Sequence, residues 1–304
     1  MTSAPPWARR LADEHCADAA HSAQCQGTLR YISAEARLRG VQAVRRGECL
    51  SLSRPVRPGK SVRPNETRPT FAIETFARTS SAGRSTGSER VEFDCHGMAN
   101  THLDGLTHVG YDGHWHNGSP SVAPSVDGSA DMLIGAASGI ATRAICLDIA
   151  AGRGVPYIGL EPVDGAEMDR AAAAARVEVL AGDAVLVHMG RDEFELPGAD
   201  YGPIGDHPGG RPGLGRDAAE WIADHRISVL CWDFLDAHLP GVESDVLPVH
   251  TLIWAIGLVL IDNCHLGPAA RRLLAAGAGA GLLAIGPLQM RGATGSLVNP
   301  IFMF

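Results

Sequence analysis

His96-Gly-Met-Ala-Asn-Thr-His-Leu-Asp-Gly-Leu-Thr-His108 packs three histidines and an aspartate into one short run, and the rest of the chain is read outward from it. In an extended strand, side chains two apart point into the same space, so His102 and Asp104 share one pocket. His96 and Met98 have the same parity, and a regular strand would aim His96 there as well. Nitrogen and oxygen donors together suit a borderline divalent ion such as Zn²⁺ or Mn²⁺, for which the Met98 thioether is a poor ligand. Gly105 lets the backbone turn, which brings His108 near such an ion without binding it. A histidine placed there carries protons at neutral pH. Spacing alone leaves an ordinary buried pair equally open, because a histidine two residues from an aspartate recurs by chance.

Composition narrows the classes. The chain has 304 residues, 45% hydrophobic and 20% charged, which is ordinary for a globular protein with a sizeable core. A net charge of −8 argues against a nucleic-acid partner, which would call for a basic face. Lys60 is the only lysine among 26 basic residues, and no functional meaning is drawn from that bias. Seven cysteines, without a C-x-x-C pair and odd in number, argue against a disulfide framework and for a reducing, cytoplasmic setting. Cys95 and Cys264 read as small buried thiols. The first 24 residues lack the apolar core of a signal peptide, and the longest apolar run, Leu252 to Ile261, is half a bilayer span.

In chain order, residues 1–26 read as an irregular lead-in and 27–304 as one domain. Ala34, Leu38, Val41 and Val44 recur at helical steps after Ser33, which predicts an amphipathic helix capped by that serine. Cys49 to Ser53 alternates like a strand, and the proline-rich stretch from Arg54 to Pro69 predicts a loop crossing the active-site rim or a subunit. Strands follow at Phe71–Thr75 and Arg90–Asp94. Tyr111 to Gly118 forms two glycine turns around His114, Trp115 and His116, which either line a substrate pocket or are exposed loop residues. A long connection over residues 119–138 precedes strands at 143–149, 184–188, 227–233 and 281–285, the last expected, interleaved with helices at 166–176, 216–225 and 268–276. That alternation indicates an α/β fold. Gly209 to Gly215 lacks the Gly-Lys-Ser/Thr ending of a phosphate cradle and reads as a plain turn. Trp232 reads as core rather than as a substrate contact.

With these pieces placed, the sequence resembles the cyclase family of metal-dependent hydrolases, which includes bacterial kynurenine formamidase and isatin hydrolase. Thr101-His102-Leu-Asp104-Gly-Leu-Thr-His108 matches the T-H-x-D-x-x-x-H part of the family signature, and His250 with Asp262 matches its histidine and glutamate twelve residues apart, one methylene shorter. The segments Tyr111–Gly118, Gly182–Arg191 and Gly292–Ile301 fall in family order.

The resemblance, covering roughly residues 27–304, implies a swivelling β/β/α single domain assembled as a homodimer or homotetramer. It implies a divalent metal, Zn²⁺ or Mn²⁺, held by His102, Asp104, His250 and Asp262, with His108 as the proton carrier. The family's first histidine falls on Met98 and its glycine on Asn100, so that His96 either replaces the missing ligand or leaves a single ion. The implied reaction is hydrolysis of an amide, formamide, cyclic amide or lactone of a cyclic or aromatic small molecule. A lyase or ring-closing enzyme and a non-catalytic ligand-binding relative are the alternatives.

Overall fold

The computed structural model describes residues 3–16, 26–56, 71–116, 118–121, 138–196, 210–239, 247–290 and 292–304. The predicted loop over 54–69 from residue 57 on, the connection over 119–138 from 122 to 137, and Gly209 lie outside these residues.

The strands are β1 Cys49–Ser51, β2 Phe71–Thr79, β3 Ser85–Phe93, β4 His102–Asp104, β5 Ile140–Asp148, β6 Ala184–His188, β7 Gly213–Leu214, β8 Val229–Trp232, β9 Leu235–Asp236, β10 Val259–Asp262, β11 Ala280–Ile285, β12 Gly295–Leu297 and β13 Ile301–Met303. The helices are α1 Pro6–Cys16, α2 Ala34–Ala43, α3 Ile149–Arg153, α4 Gly165–Ala175, α5 Arg191–Glu195, α6 Arg216–Asp224, α7 Pro248–Ile256 and α8 Gly267–Ala276. Nine strands form one sheet in the order β1-β13-β11-β5-β6-β8-β10-β4-β12. Its centre, β5-β6-β8-β10, is parallel, whereas β4 and β12 close one side antiparallel.

The central strands are apolar on both faces, as a sheet covered on both sides requires. Ile145, Leu147, Val185, Val187, Leu230, Trp232 and Leu260 point into one core with α1, α4, α6 and α7. Their neighbours Ala144, Cys146, Ala184, Leu186, Val229, Cys231 and Ile261 point into a second core with α2 and α8. The mixed α/β fold predicted from the strand–helix alternation is what forms.

Four expectations need correction. The lead-in is helical between Pro6 and Cys16, and Trp7, Ala8 and Leu11 are buried in the first core. Ser33 does cap α2, accepting from the Ala36 amide at 3.2 Å, but the predicted apolar stripe faces outward, with Leu38 and Val41 each 57% exposed. The helix lies so close to β5 that a Cβ at Gly40 would come 2.8 Å from the Arg143 nitrogen, so the small residues Ala36 and Gly40 take the buried face instead. The strand at 280–285 is followed by β12 and β13. Gly213 and Leu214 form a short strand against β9 rather than a plain turn, with backbones so near that a Cβ on Gly213 would meet the Leu235 carbonyl oxygen at 1.8 Å.

The apolar run from Leu252 to Ile261 splits at Gly257, which takes φ of 70° and turns α7 into β10. That reversal is why residues twelve apart, His250 and Asp262, return to one place.

Candidate metal centre

β4 lies between β10 and β12, with His102 directly opposite Asp262 and Asp104 opposite Leu260. Cross-strand partners share a face, so His102, Asp104 and Asp262 all project into the first core, where α7 passes overhead. Pro248 starts that helix and puts His250 in its first turn. The four residues are each at most 4% exposed.

Their ligand atoms converge. His102 Nε2 stands 3.4 Å from Asp104 Oδ1 and 3.9 Å from Asp262 Oδ2. His250 Nε2 stands 3.5 Å from Asp104 Oδ2 and 3.4 Å from Asp262 Oδ2. Each imidazole is aimed by its other nitrogen. His102 Nδ1 donates to the Asn100 carbonyl at 2.9 Å, and His250 Nδ1 donates to Asp236 Oδ2 at 2.6 Å. In the neutral rings the Nε2 lone pairs therefore point inward, the arrangement in which an outer carboxylate or carbonyl fixes a metal-binding histidine. Asp236 has a second task, because its Oδ1 accepts from the Val249 and His250 amides at the start of α7. Trp232, wholly buried as expected for core, donates its indole N–H to Asp262 Oδ1 at 2.5 Å and leaves Oδ2 facing the histidines.

The donor set fits a divalent cation on one particular ground. Asp104 Oδ2 is buried and has no hydrogen-bond partner. A carboxylate oxygen in that state is costly unless a cation satisfies it. Protons partly fill this role in the bare protein. Burial pulls the His102 pKa down, but Asp104 and Asp262 more than offset it and leave it raised. Burial is likewise outweighed at His250, where Asp236 and Asp262 hold the pKa well above the usual range. Burial would raise Asp104, yet the surrounding histidines, His108 first, keep it well below the carboxylate range.

His96 reaches the cluster by another route than strand parity. Residues 96–101 bend rather than extend, with Gly97 at φ of 112°. His96 Nδ1 lies 2.9 Å from Asp104 Oδ1, and its Nε2 lies 2.8 Å from the Thr294 hydroxyl. His96, His102 and Asp104 form one group able to hold an ion, and Asp104, His108 and His250 form another. Met98 turns away to pack on the core. The His108 ring stacks on His96 at 3.9 Å, and its Nε2 is 4.0 Å from Asp104 Oδ1. Burial, against the pull of Asp104 and reinforced by the neighbouring histidines, lowers its pKa to about 4.

The predicted substrate tip divides. His114 is exposed and donates to the Asp112 carbonyl, whereas Trp115 is half-buried. His116 is buried against α7, its Nδ1 donating to the Trp254 carbonyl at 2.7 Å and its ring filling the space a side chain at Gly257 would need. Cys95 and Cys264 are free thiols, Cys95 pushed up to about 12 by burial and the Asp104 charge, Cys264 raised by burial. Three residues without a role in the sequence reading support the site: Asp236 and Asn263, which no motif announced, and Arg191, which closes the family-like segment Gly182–Arg191. Asp236 lies four residues after Trp232, in a strand too short to show a period.

The opposite face of the same sheet carries a second buried histidine. His188, at the end of β6, donates from Nδ1 to Asp148 Oδ1 at 2.9 Å, with Nε2 4.0 Å from Asp233 Oδ2. Both Asp233 oxygens are taken by backbone amides, from Met189, Gly190 and Arg191 at 2.9 to 3.2 Å.

A family model described as "Putative cyclase" matches residues 50–237, more than half of the chain. The chain belongs to this cyclase family. Among solved structures, a novel cyclase matches with a TM-score of 0.76 at 22% identity, covering 92% of this chain and 94% of that one. Isatin hydrolase A from Labrenzia aggregata, bound to benzyl benzoate, matches at 0.58 and 18% identity over 86% and 94%. An isatin hydrolase bound to the product analogue thioisatinate matches at 0.59 and 16% identity over 90% and 99%. No curated protein matches. His250 and Asp262 lie beyond the part of the chain that the cyclase model covers, and the fold alone brings them to His102 and Asp104. Among the described residues no helix is long and apolar enough to cross a membrane.

Proposed function

We propose that the chain is a metal-dependent hydrolase that opens an acyl C–N or C–O bond in an amide, formamide, cyclic amide or lactone. The observation that carries this reading is the bare, buried Asp104 Oδ2 facing His250 Nε2 at 3.5 Å, with His102 Nε2 and Asp262 Oδ2 beside them. His102, Asp104, His250 and Asp262 would hold Zn²⁺ or Mn²⁺, and His96 stands beside them as a further ligand or as the support of Asp104. When bound, such an ion supplies Lewis acidity toward the carbonyl and lowers the pKa of water from ~15.7 to about 7.

The chain's own work is proton transfer and orientation. His108, with its pKa near 4, is neutral at pH 7 and free to accept a proton at Nε2. As water oxygen bonds to the carbonyl carbon, His108 takes its proton, then delivers it to the nitrogen or oxygen that leaves. The stacked His96, tied to Asp104 and Thr294, keeps that ring in place. Trp115 is proposed to pack against a cyclic or aromatic substrate, with His114 and His116 flanking it in the same turn. The isatin hydrolases of the same fold, one holding thioisatinate, support a ring-bearing substrate.

Assembly as a homodimer or homotetramer belongs to the same reading, as does a cytoplasmic setting, which the free thiols favour. The β2–β3 hairpin pairs Ile73 with Val91 on one face, both about half exposed, and a lone two-stranded hairpin is marginal in water.

Incubation with formamides, imides and lactones in H₂¹⁸O tests the reaction. Hydrolysis places one ¹⁸O in the product acid. A lyase or ring-closing enzyme gives product without it, and a binding protein returns the compounds unchanged.

A further inference from the structure

The loop that delivers His96 and His102 makes no regular backbone ladder, so something else must hold it. Arg191, 4% exposed, begins α5 on the far side of β8. One arm of its guanidinium donates to the Met98 carbonyl at 2.6 Å, and another donates to Asn263 Oδ1 at 2.5 Å and to the Asp233 carbonyl at 3.3 Å. Its Nε is occupied by Glu195. Asn263 follows the ligand Asp262 directly, is fully buried, and takes φ of 56°. Its amide donates to the Gly97 carbonyl at 2.6 Å and to the Asn100 carbonyl at 2.9 Å, while its own carbonyl accepts from the Thr101 hydroxyl.

The Asn100 carbonyl is also the acceptor for His102 Nδ1. The chain of bonds thus runs from Arg191 through Asn263 to the one oxygen that sets the His102 tautomer and aims its Nε2.

We propose that Arg191 and Asn263 are positioning residues for the metal centre: a buried fork and amide that clamp the loop 97–101 onto the end of β10 and lock His102 in its ligand orientation. The proposal rests on the metal reading above and adds to it two residues outside the ligand set. A planar five-donor fork is needed because three carbonyl or amide oxygens in fixed directions must be met at once, which a lysine cannot do. Glycine is the informative replacement at 263, since it accepts the positive φ and deletes only the amide.

The test is Co²⁺ titration of the metal-free full chain, read by the visible ligand-field spectrum, for the parent, Asn263→Gly and Arg191→Lys. Outer-shell changes of this kind cost 10- to 100-fold in metal affinity. We expect both variants to bind Co²⁺ 10- to 100-fold more weakly with an altered spectrum. Ser228→Ala, which removes a buried hydroxyl bonded to the Gly182 and Asp183 carbonyls, should lower the melting temperature and leave affinity and spectrum alone. Asn263→Gly binding Co²⁺ with parental affinity and spectrum overturns the clamp while the metal reading stands. A parent chain that takes up no Co²⁺ overturns both. If Arg191→Lys fails to fold, Asn263→Gly alone decides.

Discussion

Two buried histidine–carboxylate clusters sit by the carboxyl ends of the parallel strands of one sheet, on opposite faces, and they differ in what their oxygens meet. Around His188, both oxygens of Asp233 are capped by three backbone amides and Asp148 holds the ring through Nδ1, so the carboxylates are met from within while His188 Nε2 has no hydrogen bond. Around His102 and His250, the outward nitrogens are tied off by Asn100 and Asp236 while Asp104 Oδ2 is left bare. Residue type alone does not separate the two. What separates them is the carboxylate: in the His188 cluster both Asp233 oxygens have amide partners and the unmet atom is the imidazole Nε2, whereas in the other the protein orients its donors and leaves a carboxylate oxygen unmet.

The largest expected difference comes from removing the shared carboxylate. Asp104→Ala should abolish metal retention and turnover together, whereas Asp148→Asn should keep full metal content and cost about 1–3 kcal/mol of stability by removing the carboxylate that holds His188 Nδ1. Metal analysis beside thermal melting checks both, and an Asp104→Ala chain that keeps its metal would erase the distinction. His108→Ala should retain metal and lose 10²- to 10⁴-fold in turnover, the usual share of a general acid–base. Loss of metal in that variant would move His108 into the ligand set. Asp236→Asn should weaken metal binding 10- to 100-fold, because His250 loses the carboxylate that orients it, while Asp148→Asn leaves metal binding untouched.

pH separates the clusters more finely. His102 and His250 hold protons to higher pH than free imidazole, and an incoming ion must displace them. Metal affinity should therefore climb as pH rises beyond the ordinary histidine range and fall below it. In the other cluster burial lowers the His188 pKa, but Asp148 and Asp233 raise it to about 9 from 6.5. A raised folded-state value stabilises fully below 6.5 and is lost as pH rises toward about 9, a change on the order of 3 kcal/mol. Denaturant melts across that window should show the loss, and His188→Gln should flatten it without altering metal content.

Much of this was legible in the sequence where a strict period governs. Two-residue alternation placed His102 and Asp104 together, and the strand at Ala184–His188 was read to its ends. Helical spacing misled at α2, because close approach to β5 selects small residues rather than apolar ones. Parity misled at His96, because residues 96–101 bend, and His96 still arrives at Asp104 through its turn. Asp236 and Asn263 left no pattern at all, and Arg191, though it ends the family-like segment Gly182–Arg191, showed no role there, since each works through partners far off in the chain.

Anomalous diffraction at the zinc or manganese edge, from crystals loaded with either ion, tests the centre most directly. The account predicts a peak bounded by His102 Nε2, His250 Nε2, Asp104 Oδ2 and Asp262 Oδ2. A loaded crystal with no peak among those four atoms, or with its only peak beside His188, would contradict it.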